Sequence, residues 1–184
     1  EAIVAFQAVV AFYGNAPKAH YYLGNLWYDK RQYEEAIREW ETSREQDDAF
    51  PMVYRNLSLA YFNKLGKRQE AVALLEKAFA LNPLDGRVLM ELDQLYKRLN
   101  YPHEERLAFL EAHKEVALSR DDVYLEYVTL LNQLGRYEEA IRMIDARRFH
   151  PWEGGEGKVP EQYQLARLEL AKIRLKEGDP EEAS

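Results

Sequence analysis

Four histidines, His20, His103, His113 and His150, are the side chains of this 184-residue chain best suited to holding a metal or moving a proton. No two stand at the i, i+4 spacing that sets imidazoles side by side on a helix, so no metal site is expected. His113 falls within a helical stripe and reads as a packed or half-exposed side chain. The acidic pairs Glu34-Glu35 and Glu138-Glu139 have the residue types of an acid–base couple, yet each opens a helical segment, where carboxylates favour the helix dipole. Gly157-Lys158 has the ending of a phosphate-binding loop. The match fails because Trp152 stands at the first glycine place, Val159 follows the lysine and no strand precedes. The chain has no cysteine, which removes disulfides, thiolate metal sites and cysteine nucleophiles. Its few serines lie outside any nucleophile elbow. The residues therefore point away from an enzyme, with no catalytic group and no cofactor expected.

The elements that hold these side chains are helical. Glycines and prolines are widely spaced, and between them apolar residues recur at three- and four-residue intervals. Leu74, Leu75, Ala78, Phe79 and Leu81 form one such stripe, and Leu125, Val128, Leu131 and Leu134 another. That is the helical period, and no sustained period-two segment occurs. Apolar residues make up 47 % of the chain, enough to bury a core. A net charge of −7 argues against nucleic acid as a partner, because a phosphate backbone needs clustered cations. No apolar run approaches the roughly 20 residues that cross a bilayer, so no membrane partner is expected and a cytoplasmic location is. The sequence starts at Glu1 without a methionine and is read as a piece of a longer protein.

The string Gln32-Tyr33-Glu34-Glu35-Ala36-Ile37 returns as Arg136-Tyr137-Glu138-Glu139-Ala140-Ile141. Weaker copies are Lys67-Arg68-Gln69-Glu70-Ala71-Val72 and Asp179-Pro180-Glu181-Glu182-Ala183. With the alanine as anchor, Ala36 to Ala71 and Ala71 to Arg106 each span 35 residues, and Arg106 to Ala140 spans 34. Ala2 lies 34 residues before Ala36, and Ala183 lies 43 after Ala140. Four residues past each anchor stand Phe6, Trp40, Leu75, Leu110 and Ile144. This spacing resembles that of the tetratricopeptide repeat, which implies one helix pair per repeat. First helices are expected near 17–30, 51–65, 86–99, 121–134 and 161–177, and second helices near 33–47, 68–81, 103–118 and 137–147. Residues 1–14 form the second helix of a truncated repeat, 17–50, 51–85, 86–120 and 121–148 are full repeats, 149–160 is a long loop, and 161–184 starts another truncated repeat.

These features resemble the tetratricopeptide repeat. The matches are Leu23-Gly24, Trp27, Ala36 and Trp40 in the first full repeat, and Tyr54, Leu57, Tyr61, Ala71, Leu75, Ala78 and Pro83 in the second. Leu92, Tyr96 and Leu110 fit in the third, and Tyr124, Gly135, Ala140 and Ile144 in the fourth. The resemblance implies an all-α fold, a right-handed superhelical solenoid of antiparallel helix pairs. Small residues at Gly24, Ala36, Ala71 and Ala140 let paired helices approach, and Trp27, Trp40, Tyr61 and Phe79 fill the space beside them. Arg106 breaks this pattern: either the helices splay there or, the expected course, its long stem carries the charge out to water.

In such an array the first helices line a concave face, so the expected function is non-catalytic binding of a peptide or protein segment in that groove. The residues expected to bind are Tyr21, Asn25, Tyr28, Arg55, Asn56, Leu59, Phe62, Arg87 and Gln94. In the fourth repeat the same face is expected to carry Leu125, Glu126 and Asn132 among others. Some members of the family hold a chaperone tail's carboxylate with two asparagines and three cations. Asn25, Asn56 and Arg87 stand at three of those places, but Tyr21 and Glu91 occupy the other two, which argues against that specificity. His150 and Trp152, in the long loop, are expected to dock back onto the repeats. The segment 150–159 also resembles one in repeat arrays of large bacterial multidomain proteins with β-rich, carbohydrate-related parts. That resemblance implies the alternative role of a spacer or docking arm for a catalytic domain elsewhere. An uncovered apolar face near residues 165–175 is expected to promote self-association of the chain.

Overall fold

The computed structural model describes residues 1–150, 155 and 157–177. Among them are eleven α-helices: α1 (Ala2–Tyr13), α2 (Pro17–Asp29), α3 (Tyr33–Gln46), α4 (Pro51–Ala60), α5 (Arg68–Leu81), α6 (Gly86–Arg98), α7 (His103–Ala112), α8 (Lys114–Ser119), α9 (Asp121–Gln133), α10 (Tyr137–Asp145) and α11 (Lys158–Glu177). A π-helical turn, Tyr61–Leu65, extends α4. No strand occurs among the described residues. The chain divides into two compact units, Glu1–Leu95 and Tyr96–Ser184. Within each, consecutive helices joined by short turns pack as pairs.

Helix starts follow the residues at their first turns. Pro17 and Pro51 occupy the first position of α2 and α4, where a missing N–H is no loss. Glu34 and Glu35 in α3, and Glu138 and Glu139 in α10, place carboxylates against the positive end of the helix dipole. The expected helix 103–118 is interrupted at His113, whose backbone leaves the helical region while its ring packs 5.2 Å from Phe109.

In the first unit, Ala36 and Ala71 are completely buried at the seams of α2 with α3 and of α4 with α5. A side chain on Gly24 would overlap the Trp40 indole, so only glycine lets α2 approach α3 there. One repeat further on, Ser58 stands at the equivalent place and its hydroxyl donates to the Ala71 carbonyl at 2.7 Å. The hydroxyl bond satisfies a buried polar group at the point of closest approach.

In the second unit the anchor position of the third repeat is filled differently. Arg106, expected to reach water, is buried with 1 % of its surface exposed, and its guanidinium donates to Glu126 at 2.6 Å. Glu126 also accepts two bonds from the Lys97 ammonium, at 2.8 and 2.9 Å. Burial alone would raise the Glu126 carboxyl, but the bonds from Lys97 and Arg106 outweigh it and hold the group below the usual carboxylate range. The snorkelling expectation fails because Glu126 on α9 brings a counter-charge to the buried end of the side chain. Leu125 and Asn132, expected on an open face, are also buried; the Asn132 amide donates to the Gln162 carbonyl at 3.0 Å and ties α9 to α11.

The two 35-residue steps have separate structural causes. Where first and second helices meet, one residue takes a left-handed conformation: Arg31 (φ 62), Gly66 (φ 65), Asn100 (φ 58) and Gly135 (φ 74). In three of these turns the next residue's N–H closes a bond five residues back: Gln32 to Trp27, Tyr101 to Tyr96 and Arg136 to Leu131, at 2.8–3.0 Å. At Gly66 the bond runs from Lys67 to Tyr61, six residues back, and the extra residue is taken up by the π-helical turn. In the third repeat the extra residue follows the left-handed position, as Pro102.

Candidate functional site

The α2, α4 and α6 helices of the first unit present a connected polar network, built from the inside outward. The indole N–H of Trp40 must find an acceptor, because the residue is 2 % exposed. It donates to Asn25 Oδ1 at 3.1 Å, with the Tyr21 carbonyl at 3.2 Å. The same Asn25 oxygen accepts from Asn56 Nδ2 at 2.8 Å, which joins α2 to α4. Arg55 then joins α4 to α6: its Nε donates to Glu91 Oε2 at 2.6 Å, and its terminal nitrogen bonds the other carboxylate oxygen. Those bonds to Glu91 raise the Arg55 pKa and keep the guanidinium charged against the cost of its burial. Exposed Arg87 completes the row, its Nε 3.1 Å from Glu91 Oε1.

This network decides which groups remain for a ligand. Asn25 uses its carbonyl twice internally, and among the described residues its own amide N–H groups have no protein acceptor. Glu91 is matched by two guanidinium groups and does not present a bare negative charge. Beside the polar row, Leu59 is 46 % exposed on α4, and Met52 is exposed one helix turn or more before it. Phe62 is half-buried and sits in the π-helical turn. Turns of this kind recur at functional sites because they redirect the side chains they carry.

Of the residues singled out in the sequence, Asn25, Asn56, Arg55 and Arg87 are brought together in this network. Tyr21 is half-buried, with Phe50 at 4.9 Å and Tyr22 at 5.3 Å. Gln94 is exposed on α6. Tyr28 lies at the helix-pair seam, its ring 5.1 Å from Tyr33 and 5.5 Å from Trp40. Sequence reasoning placed Trp40 in the core and overlooked that its N–H orients the amide pair; a buried tryptophan's need for an acceptor was the available signal.

His150 belongs to the second unit. Its backbone N–H donates to Asp121 Oδ2 at 2.9 Å, and its ring nitrogen lies 3.2 Å from the same oxygen. Arg147 donates to Asp121 Oδ1 at 2.6 Å and lies 4.5 Å over the Tyr124 ring. Burial would raise the Asp121 carboxyl, but the bonds from His150 and Arg147 hold it below the ordinary range. Trp152 lies outside the described residues. Among the described residues no cluster of three or more histidine, aspartate or glutamate side chains is placed to hold a metal ion, and no helix is long and apolar enough to cross a membrane.

Comparison with known proteins agrees with this architecture. Family models described as tetratricopeptide repeat match residues 17–50 and 52–82. The fold is similar to that of YrrB, described as a TPR protein with an unusual peptide-binding site, at TM-score 0.67 and 18 % identity over 97 % of this chain and 87 % of that one. It is also similar to PilF of Pseudomonas aeruginosa (TM-score 0.65, 16 % identity, 97 % and 86 % covered). MamA gives a TM-score of 0.63 at 19 % identity, with 88 % and 86 % covered.

Proposed function

We propose that this chain, a tetratricopeptide-repeat protein by the repeats in residues 17–82 and by its all-α fold, is an interaction scaffold that takes an extended segment of a partner protein across α2, α4 and α6 of its first unit. The observation that carries this reading is the locked amide pair. Trp40 and Asn56 fix the Asn25 carboxamide before any ligand arrives, which leaves its N–H groups to donate to a backbone carbonyl. A group held in place in advance costs less ordering entropy on binding. Exposed Leu59 and Met52 supply apolar contact for a side chain of the same segment. The peptide-binding site described for YrrB is compatible with this use of the fold.

The test is selection from a displayed library of random peptides with the full chain, followed by nuclear magnetic resonance mapping. Selected peptides are expected to shift resonances of α2, α4 and α6, and to bind about tenfold more weakly to Asn25→Ala, the loss of about one well-placed hydrogen bond. Peptides that map to other helices, or that bind Asn25→Ala as tightly as the unchanged chain, would overturn the reading.

A further inference from the structure

A second concave site lies wholly within the other unit, at the turn that carries the additional residue of the third repeat. A cavity of about 390 Å³ opens there, lined by Lys97, Asn100, Tyr101, Pro102, His103, Arg106 and Gln133. Its volume falls in the range of small-ligand pockets, roughly 300–1,000 Å³. Its chemistry is one-sided. Every ionisable group of the wall other than the Tyr101 phenol is basic, two neutral amides add further donors, and no carboxylate lines it. The carboxylates of Glu104 and Glu105, next in sequence, are not part of the wall.

We propose that this cavity binds the phosphate group of a phosphomonoester. The wall is set in advance of a ligand. Glu126 pairs with both Lys97 and Arg106 and holds them in place. Tyr101 is stacked on Tyr96 at 4.6 Å, and Asn100 is fixed by its left-handed turn. The Lys97 side chain is half-exposed and lines the cavity. The lining residues come from four segments, α6, the turn after it, α7 and α9. A phosphate offers three strong acceptor oxygens to such an arrangement, whereas a carboxylate offers two in one plane. The site shares no residue with the proposed peptide-binding face, so the two stand or fall separately.

The test is titration of the full chain with inorganic phosphate, followed by amide resonances, with sodium chloride at matched ionic strength as the reference. Saturable shifts are expected at Asn100, Tyr101 and Gln133. The double variant Lys97→Gln, His103→Gln is expected to weaken binding about tenfold, the loss of about one charge-assisted hydrogen bond. Lys172→Gln, an exposed lysine on α11, is expected to bind as the unchanged chain does. Circular dichroism checks that both variants keep their helix content. A phosphoserine peptide and glycerol phosphate then separate a protein-borne phosphate from a free one, and tighter binding of either supports the site. Shifts no larger than those with chloride, shifts scattered over other basic side chains, or equal binding by the double variant would overturn it.

Discussion

The second and third repeats fill the same register position by opposite means. In the second, Ala71 is fully buried and leaves room for the backbone, with Ser58 bonding its carbonyl. In the third, Arg106 fills that position and is as deeply buried, held by Glu126. The anchor position of a repeat therefore does not require a small residue. It requires that whatever stands there be fully packed and that any polar group it carries be paired. The two solutions differ in how they fail. A methyl group fails by overpacking, whereas a buried ion pair fails through the charge left behind.

The largest expected effect comes from removing one member of the ion pair. Glu126→Ala should destabilise the second unit by about 3–5 kcal/mol, because Arg106 stays buried with this carboxylate gone. Urea unfolding measures the loss. Arg106→Met combined with Glu126→Met should recover most of it, and a double variant as unstable as the single one would show that the charge is not the cause. The same pair predicts a pH dependence. The Glu126 carboxyl titrates below its unfolded value, so its contribution is complete above about pH 4.5 and is lost as pH falls through the depressed folded value. Glu126→Gln should flatten that acid limb of the stability profile.

Overpacking in the first unit ranks next. Ala71→Leu should cost about 1–3 kcal/mol, and Gly24→Ala a similar amount as its new methyl meets the Trp40 indole. Thermal melts read both. A melt unchanged by either substitution would mean that these seams are looser than the first unit's packing indicates. The smallest effect belongs to the turns. Arg31 adopts the left-handed conformation that glycine takes at Gly66 and Gly135. Arg31→Gly should therefore stabilise by up to about 1 kcal/mol, relief of backbone strain partly offset by the greater freedom of glycine when unfolded. A drop in stability would show that the arginine side chain contributes more than its backbone costs.

Helix positions were legible because the apolar stripes, Pro17, Pro51, Gly66 and Gly135 all mark them locally. The buried Ala36, Ala71 and Ala140 were legible from their spacing. The fate of Arg106 was not, because its partner Glu126 is twenty residues away and its own position suggests an open face. The π-helical turn was also hidden. A 35-residue step states that one residue is extra and leaves open where the backbone puts it. At the candidate site, the residue types were readable, since Asn25, Asn56, Arg55 and Arg87 all fall on first helices. Their bonding to one another and to Trp40 was not, because it depends on the lateral distance between stacked helices.

The two extra residues also bear on how such chains change over generations. An α-helix rotates about 100° per residue, so an insertion carried along a helix would turn every later side chain away from its seat. Neither insertion here does that. The π-helical turn confines one to Tyr61–Leu65, and the tyrosine–proline turn confines the other between α6 and α7. A single added codon can thus enter this architecture at the junction of paired helices and leave both flanking seams in phase. In one repeat the result is a local change in the helix that carries Phe62, and in the other a cavity beside Pro102. Junctions of this kind can take up an added residue locally and leave the helical stripes on either side in phase.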